Sequence, residues 1–142
     1  MGMVGAPFHG SLEHLGFRLN RCVGAETVST LFTKIINGEL PSDKVYEDDQ
    51  VCAFRDINPA APTHILIVPR KEVATVDDLA DDDGALVGRM ILVARDLARS
   101  EGIADSGYRL IINCKDEGGQ EVPHLHLHLM GGRPMGPMVV RT

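Results

Sequence analysis

From position 29 onward the apolar residues fall into short, regular groups separated by polar, glycine or proline breaks. Ser29 or Thr30 can cap a short helix running through Ile36, with Asn37-Gly38 as its stop. Leu40-Pro41 opens an extended stretch. Lys44–Glu47 and Val51–Arg55 read as two strands joined by the acidic turn Asp48-Asp49-Gln50. Asn58–Pro62 is a loop, because its two prolines forbid regular structure. Thr63–Pro69 is a strand whose centre, Ile65-Leu66-Ile67-Val68, is apolar on both faces. Asp81-Asp82-Asp83 puts carboxylates at the positive end of a long helix. In it Leu86, Met90, Val93, Ala94 and Leu97 recur at helical spacing, and Gly102 follows its end. Tyr108–Cys114 is a further β-branched run, and Lys115–Gly119 reads as a polar loop. Leu125, Leu127 and Leu129 then alternate with His124, His126 and His128, a period of two. The Pro- and Gly-rich tail after Gly131-Gly132 is expected on a surface or against a partner.

Strands outnumber helices and most connections are short, which predicts an α+β domain: an antiparallel meander with one long and one short helix. Residues 1–28 carry scattered Gly, Pro and His without a sustained period. They are expected to form a poorly ordered N-terminal extension, with room for a short helix over Ser11–Leu19, while 29–142 forms the folded domain.

Composition narrows the function classes. The chain has 142 residues, enough for one compact core, and its 44% apolar content is ordinary for a globular protein. Fourteen basic residues against 20 acidic ones give a formal charge of −6, and no basic stretch suggests nucleic-acid binding. Cys22, Cys52 and Cys114 are widely spaced and form no C-x-x-C pair, which argues against a disulfide framework and a zinc knuckle and fits a reducing cytoplasm. No apolar run approaches the roughly 18 residues of a membrane span, so no membrane partner is expected.

On a strand, residues i, i+2 and i+4 share a face. His124, His126 and His128 would then project together at steps of roughly 6.5–7 Å, with the three leucines facing the core. Two chemistries suit such a row. One is metal binding, for which His64 is the obvious further ligand, although no cysteine or Glu pair completes a familiar set. The other is phosphorus chemistry: neutral imidazole is a nucleophile near pH 7, and neighbouring imidazoles can donate protons or hold phosphate oxygens. Gly118-Gly119-Gln120 just upstream favours the second, since glycines let backbone N–H groups approach an anion and Gln120 adds an amide.

His124-Leu125-His126-Leu127-His128-Leu129-Met130 resembles the H-φ-H-φ-H-φ-φ motif of the histidine-triad (HIT) superfamily. Leu31–Gly38, Tyr46–Asp49, Ala53–Ile57, Ala61–His64 and Gly118–Gln120 stand in the order that family shows, so the resemblance spans roughly residues 29–138. The branch it looks most like is the histidine-triad nucleotide-binding proteins, purine nucleoside phosphoramidases. The ending Gly131–Met138 resembles their bacterial members.

That resemblance implies a five-stranded antiparallel sheet with two helices, pairing with a second copy into a ten-stranded sheet across a homodimer. It implies a purine nucleoside 5′-phosphoramidate as substrate and no cofactor or resident metal. His126 would be the nucleophile and form a nucleotidyl-histidine that water cleaves. His128 would contact phosphate oxygens and assist the leaving amine, and His124 and His64 would pair behind the nucleophile. Asp56 matches the position that accepts from the ribose hydroxyls, and Asn113 and Gln120 match positions near ribose and phosphate. The backbone N–H groups of Glu121 and Val122 match phosphate donors. Leu31, Phe32, Ile35, Leu40, Phe54 and Ile57 match the apolar slot for the base.

Glu121 stands where many eukaryotic relatives have serine, Pro123 replaces a common aromatic, and the tail differs from the eukaryotic Trp-Pro-Pro ending, which bears on leaving-group preference. The paired cysteines of some zinc-carrying relatives are absent, since Leu31 and Thr33 fall there. Two other functions share these residues: a dinucleoside polyphosphate hydrolase, and a nucleotide-binding regulatory protein with little turnover.

Overall fold

The computed structural model describes residues 30–141. The expectations for residues 1–28 lie outside the described residues.

Thr30 caps α1 (Leu31–Ile36): its side chain accepts the Thr33 N–H at 3.1 Å. Five strands follow, β1 (Lys44–Glu47), β2 (Val51–Arg55), β3 (Thr63–Pro69), β4 (Tyr108–Ile111) and β5 (Leu127–Gly131). They form one sheet in the order β1-β2-β3-β5-β4, antiparallel at every step. Between β3 and β4 runs the long helix α2 (Gly84–Ser100), and between β4 and β5 the single turn α3 (Lys115–Gly118).

Alternation along the strands divides the sheet into two faces. Val51 and Ala53 of β2, Ile65 and Ile67 of β3, and Leu127 and Leu129 of β5 pack with Leu86, Met90, Val93, Ala94 and Leu97 of α2. Cys52, Phe54, Leu66 and Val68 point the other way and pack with Leu31, Phe32, Ile35 and Ile36 of α1. The short helix covers only part of that second face, and the histidines occupy it beside α1.

Four boundaries differ from the sequence expectation. The run Tyr108–Cys114 stops being a strand at Ile111, because its partner β5 offers pairs only from His128 to Gly131 on that side. The histidine run does not begin inside a strand: β5 starts at Leu127. Ahead of it the Leu125 N–H is taken by Val73 O at 2.7 Å and the His124 N–H by Val122 O at 2.8 Å, so neither joins the β3 ladder. The three aspartates form a 3-10 turn, Asp81–Asp83, that leads into α2. Lys115–Gly118 is a helical turn rather than a loop. The Gln120 side chain accepts the Lys115 N–H at 2.9 Å and Gly119 stops the turn at φ 83°, a local side-chain bond that the hydrophobic pattern does not reveal. No helix among the described residues is long and apolar enough to cross a membrane.

Candidate active site

Each histidine is held by partners that fix which ring nitrogen bears the proton. A carbonyl only accepts, so His124 must donate Nε2–H to Pro69 O at 2.8 Å. Its Nδ1 is then the acceptor, 3.2 Å from the Thr30 hydroxyl. Thr30 has the adjacent Thr33 beside it, and the Thr33 hydroxyl donates to Glu72 at 2.9 Å. His126 donates Nδ1–H to His124 O at 2.7 Å, which leaves Nε2 with a free electron pair. The carbonyl that fixes the middle ring is therefore its own triad neighbour's.

A second chain starts from the loop before β3. The Ala60 N–H donates to His64 Nδ1 at 3.0 Å, so the His64 proton sits on Nε2. That proton is donated to His128 Nδ1 at 2.9 Å, which puts the neutral His128 proton on Nε2. His64 accordingly pairs with His128 and not with His124, contrary to the expectation. The strand register explains this: Leu66 stands opposite His128, so His64 reaches the same sheet face one step along β3, whereas His124 lies before β5 against Pro69 and Thr30.

The rings of His126 and His128 lie 4.9 Å apart at 64°, and Phe32 meets the His126 ring edge-on at 5.0 Å. His124 and His126 are buried, at 1% and 6% exposure. Burial is the largest influence on all four rings and pushes each below the ordinary histidine range. For His64 the Asp56 carboxylate pulls the other way. For His126 the bond to the His124 carbonyl resists the fall while the His124 ring adds to it. His128 is depressed to about 3, by burial first and then by repulsion from His126 and His64. These four imidazoles are therefore neutral at pH 7, His126 with a nucleophilic nitrogen and its neighbour His128 with an N–H.

Asp56 caps its own turn, accepting the Asn58 N–H on Oδ1 at 2.9 Å, while Oδ2 lies 3.4 Å from His64 Nε2. One ligand atom from each of Asp56, His64 and His128 falls within 4.8 Å of the others. The hydrogen bonds do not suit a cation there, because His64 Nδ1 accepts from Ala60, and a metal on Nε2 would leave that ring without any proton.

Of the expected base-slot residues, Leu31, Phe32, Ile35 and Phe54 pack in one cluster with Val122, and Leu40 packs against it. Ile57 does not join them: it stands 61% exposed on the loop after β2. Asn113 lies beside the Gly118-Gly119 turn, its Nδ2 4.0 Å from where a Cβ on Gly119 would stand. Gln120 is buried and its amide is spent on backbone: Oε1 accepts from Lys115, and Nε2 donates to Ala74 O at 2.7 Å and to Val122 O at 2.9 Å. It holds the turn that leads to Glu121 and Val122. Sequence reasoning missed the Thr30, Thr33 and Glu72 chain, the Pro69 carbonyl and the Ala60 N–H. The two backbone groups leave no mark in a sequence, and Thr30 was legible only as a helix cap.

In sequence and fold the chain is similar to known proteins. The HIT domain family matches residues 37–135. The purine nucleoside phosphoramidase of Escherichia coli K12 is 58% identical over 110 residues, covering 78% of this chain and 92% of that protein. An uncharacterized HIT-like protein of Synechococcus elongatus is 46% identical, over 75% of this chain and 92% of its own. Among solved structures, a HIT family hydrolase from Legionella pneumophila Philadelphia 1 superposes with a TM-score of 0.74 at 52% identity, over 75% of this chain and 95% of that one. A histidine triad protein from Clostridium difficile superposes with a TM-score of 0.77 at 43% identity, over 81% of this chain and all of that one, at 100%. With its triad histidines carrying fixed and complementary tautomers on one face of a five-stranded sheet, the chain belongs to the HIT family.

Proposed function

We propose that the protein hydrolyses the P–N bond of purine nucleoside 5′-phosphoramidates, releasing the amine and the nucleoside monophosphate. The observation that carries this reading is the pair of neighbouring rings in opposite states, His126 with a free Nε2 and His128 with Nε2–H. The E. coli relative's name, purine nucleoside phosphoramidase, supports the substrate class.

The chemistry balances in two steps. The His126 Nε2 electron pair forms a bond to phosphorus as the P–N bond breaks and its pair moves to nitrogen. The departing amine needs a proton, which His128 supplies from Nε2 after substrate binding has brought a solvent proton onto the ring and made it cationic. Negative phosphate charge favours that cation, as does the nearby Asp56 carboxylate, and both oppose the burial that holds the His128 ring neutral. Water then attacks phosphorus, His128 takes its proton back, and the bond to His126 breaks with its pair returned to Nε2. As His126 gains positive charge in the first step, its Nδ1–H bond to the His124 carbonyl strengthens.

Around this centre, Leu31, Phe32, Ile35, Leu40 and Phe54 form the apolar wall for the base, and the exposed Ile57 stands apart from that wall. Asp56 and Asn113 hold the ribose, and the backbone of Glu121 and Val122 faces the phosphate from the turn that Gln120 braces. We read the working unit as a homodimer. In support, β4 is an edge strand, and Leu110 on it and Ile91 and Leu92 on α2 are exposed apolar residues. The free thiols of Cys52 and Cys114 fit a reducing cytoplasm.

The test is steady-state hydrolysis of a fluorogenic adenosine phosphoramidate beside diadenosine triphosphate, with and without chelator. Amine release that survives chelation and disappears in His126→Ala, with nucleotide binding kept, is the expected result. Preference for the dinucleotide would replace the phosphoramidase by a polyphosphate hydrolase, and turnover undiminished in His126→Ala would end the assignment.

A further inference from the structure

The tautomer chain through His64 begins at one backbone N–H, that of Ala60, in a loop that has little else to hold it. Asn58, Pro59, Ala60 and Pro62 are exposed, and the two prolines contribute no N–H. The loop is closed near its start by the Asp56 N–H on His64 O at 2.9 Å. Its far side is held from the chain leaving β5. The Arg133 guanidinium donates to Ala60 O at 2.7 Å, and its other terminal nitrogen donates to Pro134 O at 3.0 Å, which orients the fork. Gly132, at φ 97°, lets that segment come close: a Cβ there would stand 2.8 Å from Pro62 Cβ and 3.5 Å from the Thr63 nitrogen.

Ala60 is therefore gripped on both sides, its N–H on His64 and its C=O on Arg133. We propose that Arg133, seated by Gly132, is a positioning residue that keeps the Ala60 N–H on His64 Nδ1 and so makes the resting His128 present its proton on Nε2. The charge-assisted bond is the only side-chain donor described on the Ala60 carbonyl. Were Ala60 to swing away, His64 Nδ1 would face water and could carry the proton. His64 Nε2 would then accept rather than donate, His128 would carry its proton on Nδ1, and its Nε2 would meet the substrate without one. No covalent step is added. The arginine hydrogen-bonds to the Ala60 and Pro134 carbonyls and to none of the site histidines, so it acts through the Ala60 backbone.

The inference about turnover rests on the phosphoramidase reading, but the tautomer does not, so the two are measured separately. Nitrogen-15 shifts of His64 and His128 in the ligand-free protein read which ring nitrogen is protonated. In wild type both rings should show an unprotonated Nδ1. In Arg133→Met they should shift toward the Nδ1–H form, in Arg133→Lys the change should be partial, and Gly132→Ala should reproduce it with the arginine intact. Turnover of the phosphoramidate should fall about two- to tenfold in kcat in Arg133→Met, the range set by one hydrogen bond's net worth, with KM little changed. Wild-type shifts at both rings in Arg133→Met would overturn the proposal whatever the activity does. A shifted tautomer with unchanged kcat would uphold the clasp and show that turnover does not depend on the resting tautomer.

Discussion

Replacing Gln120 by methionine isolates the brace behind the phosphate turn. The side chain is 5% exposed and makes three bonds, accepting from the Lys115 N–H and donating to Ala74 O and Val122 O. Methionine has similar length and volume, so packing changes little. Three hydrogen bonds, one buried and two part-buried, at a net worth of about 1 kcal/mol each set a ceiling of roughly 3 kcal/mol. The groups left behind lower that figure. Val122 O keeps the His124 N–H at 2.8 Å, and Lys115 and Ala74 are exposed residues whose backbone water can reach. The expected loss is therefore about 2 kcal/mol. In urea denaturation that corresponds to a midpoint lower by about 1 M at unchanged slope. Gln120→Glu should cost more than the methionine variant, because it keeps the acceptor for Lys115 but turns a carboxylate oxygen toward two carbonyls. A methionine variant as stable as wild type, or a glutamate variant more stable than the methionine one, would refute this account of the turn.

Two further outcomes follow from the titrating groups and the ribose contact. Each site histidine has a lowered native pKa, so the native rings decline protons that unfolded rings accept below about 6.5. Their contribution to stability is full above pH 6.5 and is lost as the pH falls from there toward about 3, the value for His128. The urea midpoint should consequently drop between pH 7 and pH 5, and His128→Gln should make that drop shallower; an equal drop in the variant would contradict the buried neutral ring. For the ribose, Asp56→Ala should weaken ribonucleotides far more than their 2′,3′-dideoxy analogues in a binding titration, and equal losses would remove that role.

The period of two through the histidines was the strongest message in the sequence, and its physical basis survives even where the strand does not. Leu125, Leu127 and Leu129 share one core although only the last two lie in β5, because an extended chain alternates whether or not a ladder bonds it. Helix α2 was equally legible, since Leu86, Met90, Val93, Ala94 and Leu97 bury together against the sheet. What could not be read was who holds each ring. The partners of His124, His126 and His64 are the carbonyls of Pro69 and His124 and the N–H of Ala60, groups every residue type shares except the N–H of proline. The pairing of His64 with His128 depends on the β3–β5 register, a long-range quantity with no local trace. The same holds for Gln120, whose amide looks like a ligand in sequence and serves as a brace in space.

The central claim, that His126 Nε2 attacks phosphorus, is tested most directly by trapping the intermediate. The wild-type protein is mixed with an adenosine phosphoramidate, quenched within the first turnover, and digested for peptide mass mapping. The account predicts an adenylyl group on His126, absent from His126→Ala and cleared on longer incubation as the monophosphate appears. An adduct on His124, His128 or His64, or catalysis that continues in His126→Ala, would contradict it.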